Sequence, residues 1–277
     1  MNSEDNTYID MKRLKFIMFL IPYFIVGLNS LSAQKNAVDF YGGYTFVSFK
    51  HPTFDQFVET YNAANSADLI KPLTRFGTAT GFEVGGQYRL FGIFGNVSYE
   101  QISSSVSAEL KLNESRNFDF KNHFFIVEFG FSLGDERFSI IPNIGLNAGR
   151  ETIDCYYIYR DGTISYGQDT RMSGVYSSLA LKGDYGLKLH IGLKQGVGIL
   201  ANINYIPKGN LAKFQLEDHS SVKSLGLGMT SSGIPTDYQL FLQTANNYDY
   251  PDDKWVTPDF SGLRITLGLC ISLDAKK

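Results

Sequence analysis

From Ser173 to Leu193 the chain alternates apolar and polar side chains. Its odd positions include Val175, Leu179, Leu181, Tyr185, Leu187, Leu189, Ile191 and Leu193, and its even positions Ser178, Lys182, Asp184, Lys188 and His190. Successive side chains of a strand point to opposite faces, so one face here is apolar and the other carries charges of both signs. A strand set between hydrocarbon and a polar barrel interior has this pattern. The same alternation predicts strands over Val38 to Phe49, Thr78 to Leu90, from Ile93 onward, Asp119 to Leu133, Phe138 to Tyr159, Ile199 to Tyr205 and Leu263 to Leu273. The expected fold class is all-β: an antiparallel transmembrane up-and-down β-barrel of eight strands, with short helices in its outer loops.

The connections alternate in length, as short periplasmic turns and longer outer loops do in such barrels. Phe91-Gly92, Gly134 to Arg137 and Lys194 to Gly196 are short; His51 to Phe76 and Lys208 to Asp259 are long, and Asp161-Gly162 is a hairpin signal. Ser221 to Met229 and Tyr238 to Leu242 leave a ten-stranded barrel open. After Pro52, the spacing of Phe54, Phe57, Val58 and Tyr61 predicts a short amphipathic helix, and another is expected near Asp237 to Ala245. A phase slip at Gln101-Ile102 predicts a bulge. Beyond it Ser103 to Leu112 is expected to stand in water and Asn113 to Phe118 to form a loop. Phe91, Phe94 and Phe138 at the short turns, and Tyr99, Phe125, Tyr205 and Phe260 towards the other end, suit two aromatic girdles.

Lys12, Arg13 and Lys15 precede the apolar Phe16 to Leu28 and a mostly small-residue stretch ending at Ala33, the pattern of a secretory signal. Residues 1–33 are therefore expected to be an N-terminal prefix and cleaved signal peptide, and 34–277 the barrel domain. The acidic stretch before Met11 suggests that translation starts at Met11, and an uncleaved anchor is the rival reading. The apolar run is too short for a comfortable helical span, and no cysteine follows it for lipid attachment. The expected location is the outer membrane of a Gram-negative bacterium.

A soluble barrel also alternates, but turns its apolar face inward. Here the polar face carries Glu83, Arg89, Glu100, Glu128, Lys182, Asp184, Lys188, His190 and Arg264, nearly balanced in sign, as an enclosed cluster must be to offset desolvation. Thr266, Gly268, Ile271 and Leu273 form a polar-x-Gly-x-x-apolar-x-apolar pattern that resembles the terminal insertion signal of outer-membrane barrels. That pattern implies contact with barrel-insertion machinery.

The stretches Asp39-Phe40-Tyr41-Gly42-Gly43-Tyr44, Gly81-Phe82-Glu83-Val84-Gly85-Gly86-Gln87-Tyr88 and Leu263-Arg264-Ile265-Thr266-Leu267-Gly268-Leu269 follow a signal ending Ser32-Ala33-Gln34. Together they resemble the PorT-like small outer-membrane β-barrel proteins over essentially the whole mature chain. The resemblance implies the barrel fold and, through the secretion apparatus in which the name-giving type takes part, an envelope protein partner. Fold alone does not carry an activity.

A net charge of −3 supplies no basic field, which argues against a nucleic-acid partner. Cys155 and Cys270 read as two small hydrophobes rather than a staple. Of the four histidines only His123 lies where Ser103 or Ser105 could join it in catalysis, so an enzyme is not expected, and a lipid-modifying activity is the lesser alternative. His190 suits a packed polar network. No histidine or cysteine pair has metal-ligand spacing, and Asp249, Asp252, Asp253 and Asp259 lack a calcium-loop pattern, so neither metal nor cofactor is expected.

An eight-stranded interior is just wide enough to be filled by side chains, which disfavours a general porin. The expectation is a structural or interaction scaffold among outer-membrane lipids and lipopolysaccharide. A narrow pore or a ligand-binding or transport barrel is the alternative. Phe54, Phe57, Tyr238, Phe241, Tyr248, Tyr250 and Trp255 form either a partner surface or a lid over the barrel mouth.

Overall fold

A computed structural model describes residues 37–135, 137–165, 174–193, 196–208, 211, 217–218, 256 and 258–274. The expected signal peptide, the helix near 237–245 and the candidate strands at 221–229 and 238–242 lie outside the described residues. Among the described residues there are eight long strands: β1 (Ala37–Lys50), β2 (Thr78–Leu90), β3 (Ile93–Leu110), β4 (Glu114–Phe131), β5 (Phe138–Ile158), β6 (Gly174–Gly192), β7 (Val197–Ile206) and β8 (Ser261–Asp274). Each pairs antiparallel with its neighbour in sequence, and β8 pairs with β1, so the ring is closed.

The register fixes the shape of the ring. Val38 faces Tyr88, then in turn come Gly95, Phe129, Ile144, Tyr185, Tyr205 and Leu263, and Leu263 faces Ser48 on β1. One circuit therefore advances from residue 38 to residue 48, a stagger of ten residues. With a rise of about 3.3 Å per residue and strands about 4.8 Å apart, eight strands with this stagger tilt by about 41° and enclose a radius of about 8 Å.

On the outer face of β5 the side chains from Phe138 to Ala148 are apolar, and Arg150 follows. At that tilt the apolar stretch stands about 25 Å tall, the height of the hydrocarbon-facing band of such barrels. Phe40, Tyr44, Val97, Phe129, Leu267 and Leu269 are each more than half exposed around the ring. An apolar collar of this extent requires lipid rather than water around it. Among the described residues no helix is long and apolar enough to cross a membrane. The chain has the architecture of an eight-stranded outer-membrane β-barrel.

Aromatic side chains edge the collar. Phe91, Phe131 and Phe138 project near the short turns. Tyr44, Phe82, Tyr99, Phe125, Tyr185 and Tyr205 project towards the other end, with ring centroids 5.4 Å apart for Tyr99 and Phe125 and 5.6 Å for Tyr185 and Tyr205. Phe94 and Phe260, expected in these girdles, are buried instead.

The expected bulge at Gln101-Ile102 is absent: Phe82 faces Gln101 and Gly81 faces Ile102 in unbroken register. The slip in hydrophobic phase has another cause. Ile102 points inward, where the upper interior is apolar. The expected loop from Asn113 to Phe118 is also corrected, because β4 already begins at Glu114 behind the tight turn Lys111–Asn113. The upper halves of β3, β4 and β5 thus continue as a wall above the collar, flanked by the short strands Leu69–Lys71 on β3 and Ile164–Ser165 on β5. The expected first helix is present as α1 (Pro52–Ala64).

The closing seam needs glycine. Gly43 faces Gly268, and a Cβ at Gly268 would come within 2.5 Å of the Gly42 carbonyl oxygen. At the opposite end of β2, Phe91 and Gly92 both take positive φ, as a tight two-residue hairpin demands.

Candidate functional site

The inward faces of the strands form layers of polar side chains. At the short-turn end Asp39 accepts hydrogen bonds from Gln87 Nε2 at 2.8 Å and Ser272 Oγ at 2.5 Å, and pairs with Arg89 at 3.1 Å. The next layer is centred on Glu128, which accepts from Lys188 Nζ at 2.8 Å, Asn96 at 2.9 Å, Asn204 at 2.7 Å and Asn202 at 3.2 Å. Beside it Glu83 accepts from Tyr41 Oη at 2.5 Å, Ser98 at 2.9 Å and Thr266 at 2.8 Å. Phe94 shares the inward face of β3 with Asn96, Ser98 and Glu100, and Lys188 lies over its ring at 4.8 Å.

Arg264 ties the following layer together. Its guanidinium bonds Asp184, donates to Asn147 Oδ1 at 2.9 Å and stands 3.7 Å from both Glu100 and Glu128. All nine residues of the sequence-derived polar cluster are buried in the barrel interior; Glu100, Glu128, Asp184, Lys188 and Arg264 pair with one another, while Glu83, Arg89 and Lys182 bond to residues outside the nine. Among the described residues neither ring nitrogen of His190 meets a hydrogen-bond partner, so it packs beside the network instead of joining it. Of the insertion-signal residues, Thr266 belongs to the interior network, Gly268 to the seam, and Ile271 and Leu273 to the outer collar.

Above the charges the interior becomes apolar, and α1 fills it. Phe54 and Phe57, expected on a partner surface, are fully buried. Phe54 stacks on Phe76 with centroids 4.4 Å apart, and both helix rings meet Phe118 of the wall edge-on. Phe49, Phe120, Phe124 and Phe260 continue this core downwards. The amphipathic face of the helix finds its apolar partner in the barrel mouth, so Phe54 and Phe57 act as a plug. Tyr238, Phe241, Tyr248, Tyr250 and Trp255 lie outside the described residues.

A clasp that the sequence did not mark holds the plug down. His51, just before α1, bonds Glu151 of β5 through Nε2 at 2.7 Å and Asp259 through Nδ1 at 3.1 Å. Burial alone would lower the pKa of this imidazole. The Glu151 charge and the hydrogen bonds to both carboxylates outweigh burial and raise it to about 9, so the ring is protonated at neutral pH. Both nitrogens then donate, and the 3.3 Å approach of the Phe54 N–H to Nδ1 is not a hydrogen bond. Asp259 is desolvated, yet the bond to His51 holds its carboxyl below the usual range. Thr53 Oγ1 donates to the same carboxylate at 3.1 Å. Lys182 Nζ donates to the carbonyls of Pro258 at 2.7 Å and Phe260 at 3.0 Å, fixing the end of the long loop to β6.

His123 bonds Tyr99 Oη through Nδ1 at 2.8 Å on the outer face, not Ser103 or Ser105, which stand opposite Lys121 and Asp119. Cys155 and Cys270 are both buried and are not joined in a disulfide. Among the described residues no three histidine, cysteine or acidic side chains are grouped to hold a metal ion.

No family model matches the chain, and no curated protein matches it. Among solved structures it is similar to Ail, the attachment invasion locus protein of Yersinia pestis, at 12% identity and a TM-score of 0.40, over 86% of this chain and 99% of that one. Ail is also known in complex with the heparin analogue sucrose octasulfate. A major outer membrane protein from Thermus thermophilus is 9% identical with a TM-score of 0.44, over 85% of this chain and 99% of that one. Likeness at this level carries no argument; the assignment as an outer-membrane type of barrel rests on the closed ring, its apolar collar and its polar interior.

Proposed function

We propose that this is a non-catalytic outer-membrane scaffold of the PorT-like kind, exported by its signal peptide, which works through the wall and loops above the collar on an envelope protein partner. The filled lumen carries this reading. Among the described residues, charge layers occupy its lower part and α1 its mouth, which favours a lumen filled by side chains over an open pore. What the barrel offers is a rigid platform for the outer turns, where Ile70 and Leu112 stand exposed.

The first test is a photo-crosslinker at Leu112, and separately at Trp255, in living cells, with captured species identified by mass spectrometry. One discrete envelope protein supports the scaffold; capture of only the barrel itself or of lipopolysaccharide refutes it. Planar-bilayer recordings should show no conductance steps. Regular steps would move the reading to a narrow pore.

A further inference from the structure

One place on the outer face combines the two halves of an amphiphile's chemistry. His123 of β4 stands directly opposite Arg150 of β5, and Phe125 and Ala148 form the next outward pair below them. Opposed side chains on one sheet face have Cβ atoms about 5 Å apart, so the imidazole and guanidinium can reach a common ligand. Gln101 flanks the pair on β3 and Leu179 on β6. The nearest outward carboxylates, Asp154 and Asp119, face each other two residue pairs higher.

Arg150 has no acidic partner among the described residues. Other outward bases of the wall do: Lys71 pairs with Glu109 at 3.3 Å, Lys111 with Asp68 at 3.8 Å and Lys121 with Asp154 at 2.6 Å. The Tyr99 hydroxyl and His123 Nδ1 are bonded at 2.8 Å, which engages Nδ1 and leaves Nε2 to meet a ligand beside the guanidinium. An unpaired, fork-shaped cation on a lipid-facing strand at the top of the collar is complementary to phosphate.

We propose that His123 and Arg150 bind the phosphate headgroup of an outer-leaflet glycolipid whose acyl chains lie along Phe125, Val127, Leu146 and Ile144. The proposal rests on the outer-membrane reading above. A lipid fits better than a free anion because the site has one flat wall, open on its outer side. Only a ligand with its own apolar anchor gains from the collar directly beneath.

The test uses the full mature chain in detergent micelles. Native mass spectrometry measures retention of bisphosphorylated lipid A, of the same lipid stripped of both phosphates, and of inorganic phosphate. The wild type should retain the phosphorylated lipid on the order of tenfold more than the stripped one. R150Q/H123Q should lose that preference, and R150K should keep part of it. Heat-modifiable gel mobility confirms that each variant is folded, and R150Q alone serves if the double variant is not. Equal retention by wild type and R150Q/H123Q overturns the proposal, as does inorganic phosphate displacing the lipid at equal concentration. A wild type that enters liposomes but shows no phosphate preference defeats this proposal alone; one that neither enters them nor shifts on heating defeats the barrel reading with it.

Discussion

Raising the pH should unlatch the plug. His51 has a pKa of about 9 in the folded chain against 6.5 for an ordinary histidine. Because the folded value is the higher, the stabilisation is fully present below pH 6.5 and is lost as pH rises through 9. At about 1.4 kcal/mol per unit the clasp contributes about 3 kcal/mol in acid, nearly as much at pH 7 and almost nothing at pH 10. Cys155 reports on this directly, since it is fully buried in the apolar cluster that α1 completes. In a Cys270→Ser background, maleimide labelling of Cys155, corrected at each pH to a denatured control, measures the opening equilibrium. That equilibrium should rise by roughly one to two orders of magnitude from pH 7 to pH 10. In His51→Asn it should already be high at pH 7 and should stay flat. A corrected rate that ignores pH in the wild type, or that climbs as steeply in His51→Asn, would refute the reasoning.

Three further outcomes are expected. Glu128→Gln leaves the buried Lys188 without its anion and should cost about 3 kcal/mol in urea unfolding from lipid vesicles. Adding Lys188→Met should recover part of that loss, and additive losses would deny the pairing. Leu146→Arg places a charge on the collar and should cost about 2–4 kcal/mol in the same assay, whereas Ser105→Arg on the wall should cost little. Gly268→Val should slow the appearance of the heat-modifiable folded band in refolding, while Leu269→Val on the outer face leaves its rate near wild type.

The strands were legible because a boundary between lipid and polar interior writes a period of two into the chain. All eight lie within a few residues of their expected positions, apart from the upward extension of β4. That extension was hidden, and a bulge was expected in β3, because the interior changes character with height. Ile102, Phe118, Phe120 and Phe124 are apolar and point inward, so alternation keyed to a polar interior misreads them as a bulge and a loop. Phe54 and Phe57 announced an amphipathic helix, but sequence spacing does not say which surface such a face will cover. The clasp was illegible for a related reason. His51, Glu151 and Asp259 are far apart in sequence, and only the register of the ring and the fold of the loop bring them together. Its one local sign is a histidine directly before the proline that opens α1.

The seam between β1 and β8 also sets an order in time. Ala37 meets Asp274, so the ring's last contact joins segments from opposite ends of the described chain. Until β8 arrives, β1 and β7 each show a bare row of peptide N–H and C=O groups, tolerable in water and severely penalised in hydrocarbon. Strand-by-strand entry into lipid is therefore disfavoured. A chain cut before residue 261 would be an open sheet with two adhesive edges, prone to recruit strands from other chains. Productive assembly needs those edges shielded, by water or by a borrowed strand, until the final segment is in hand.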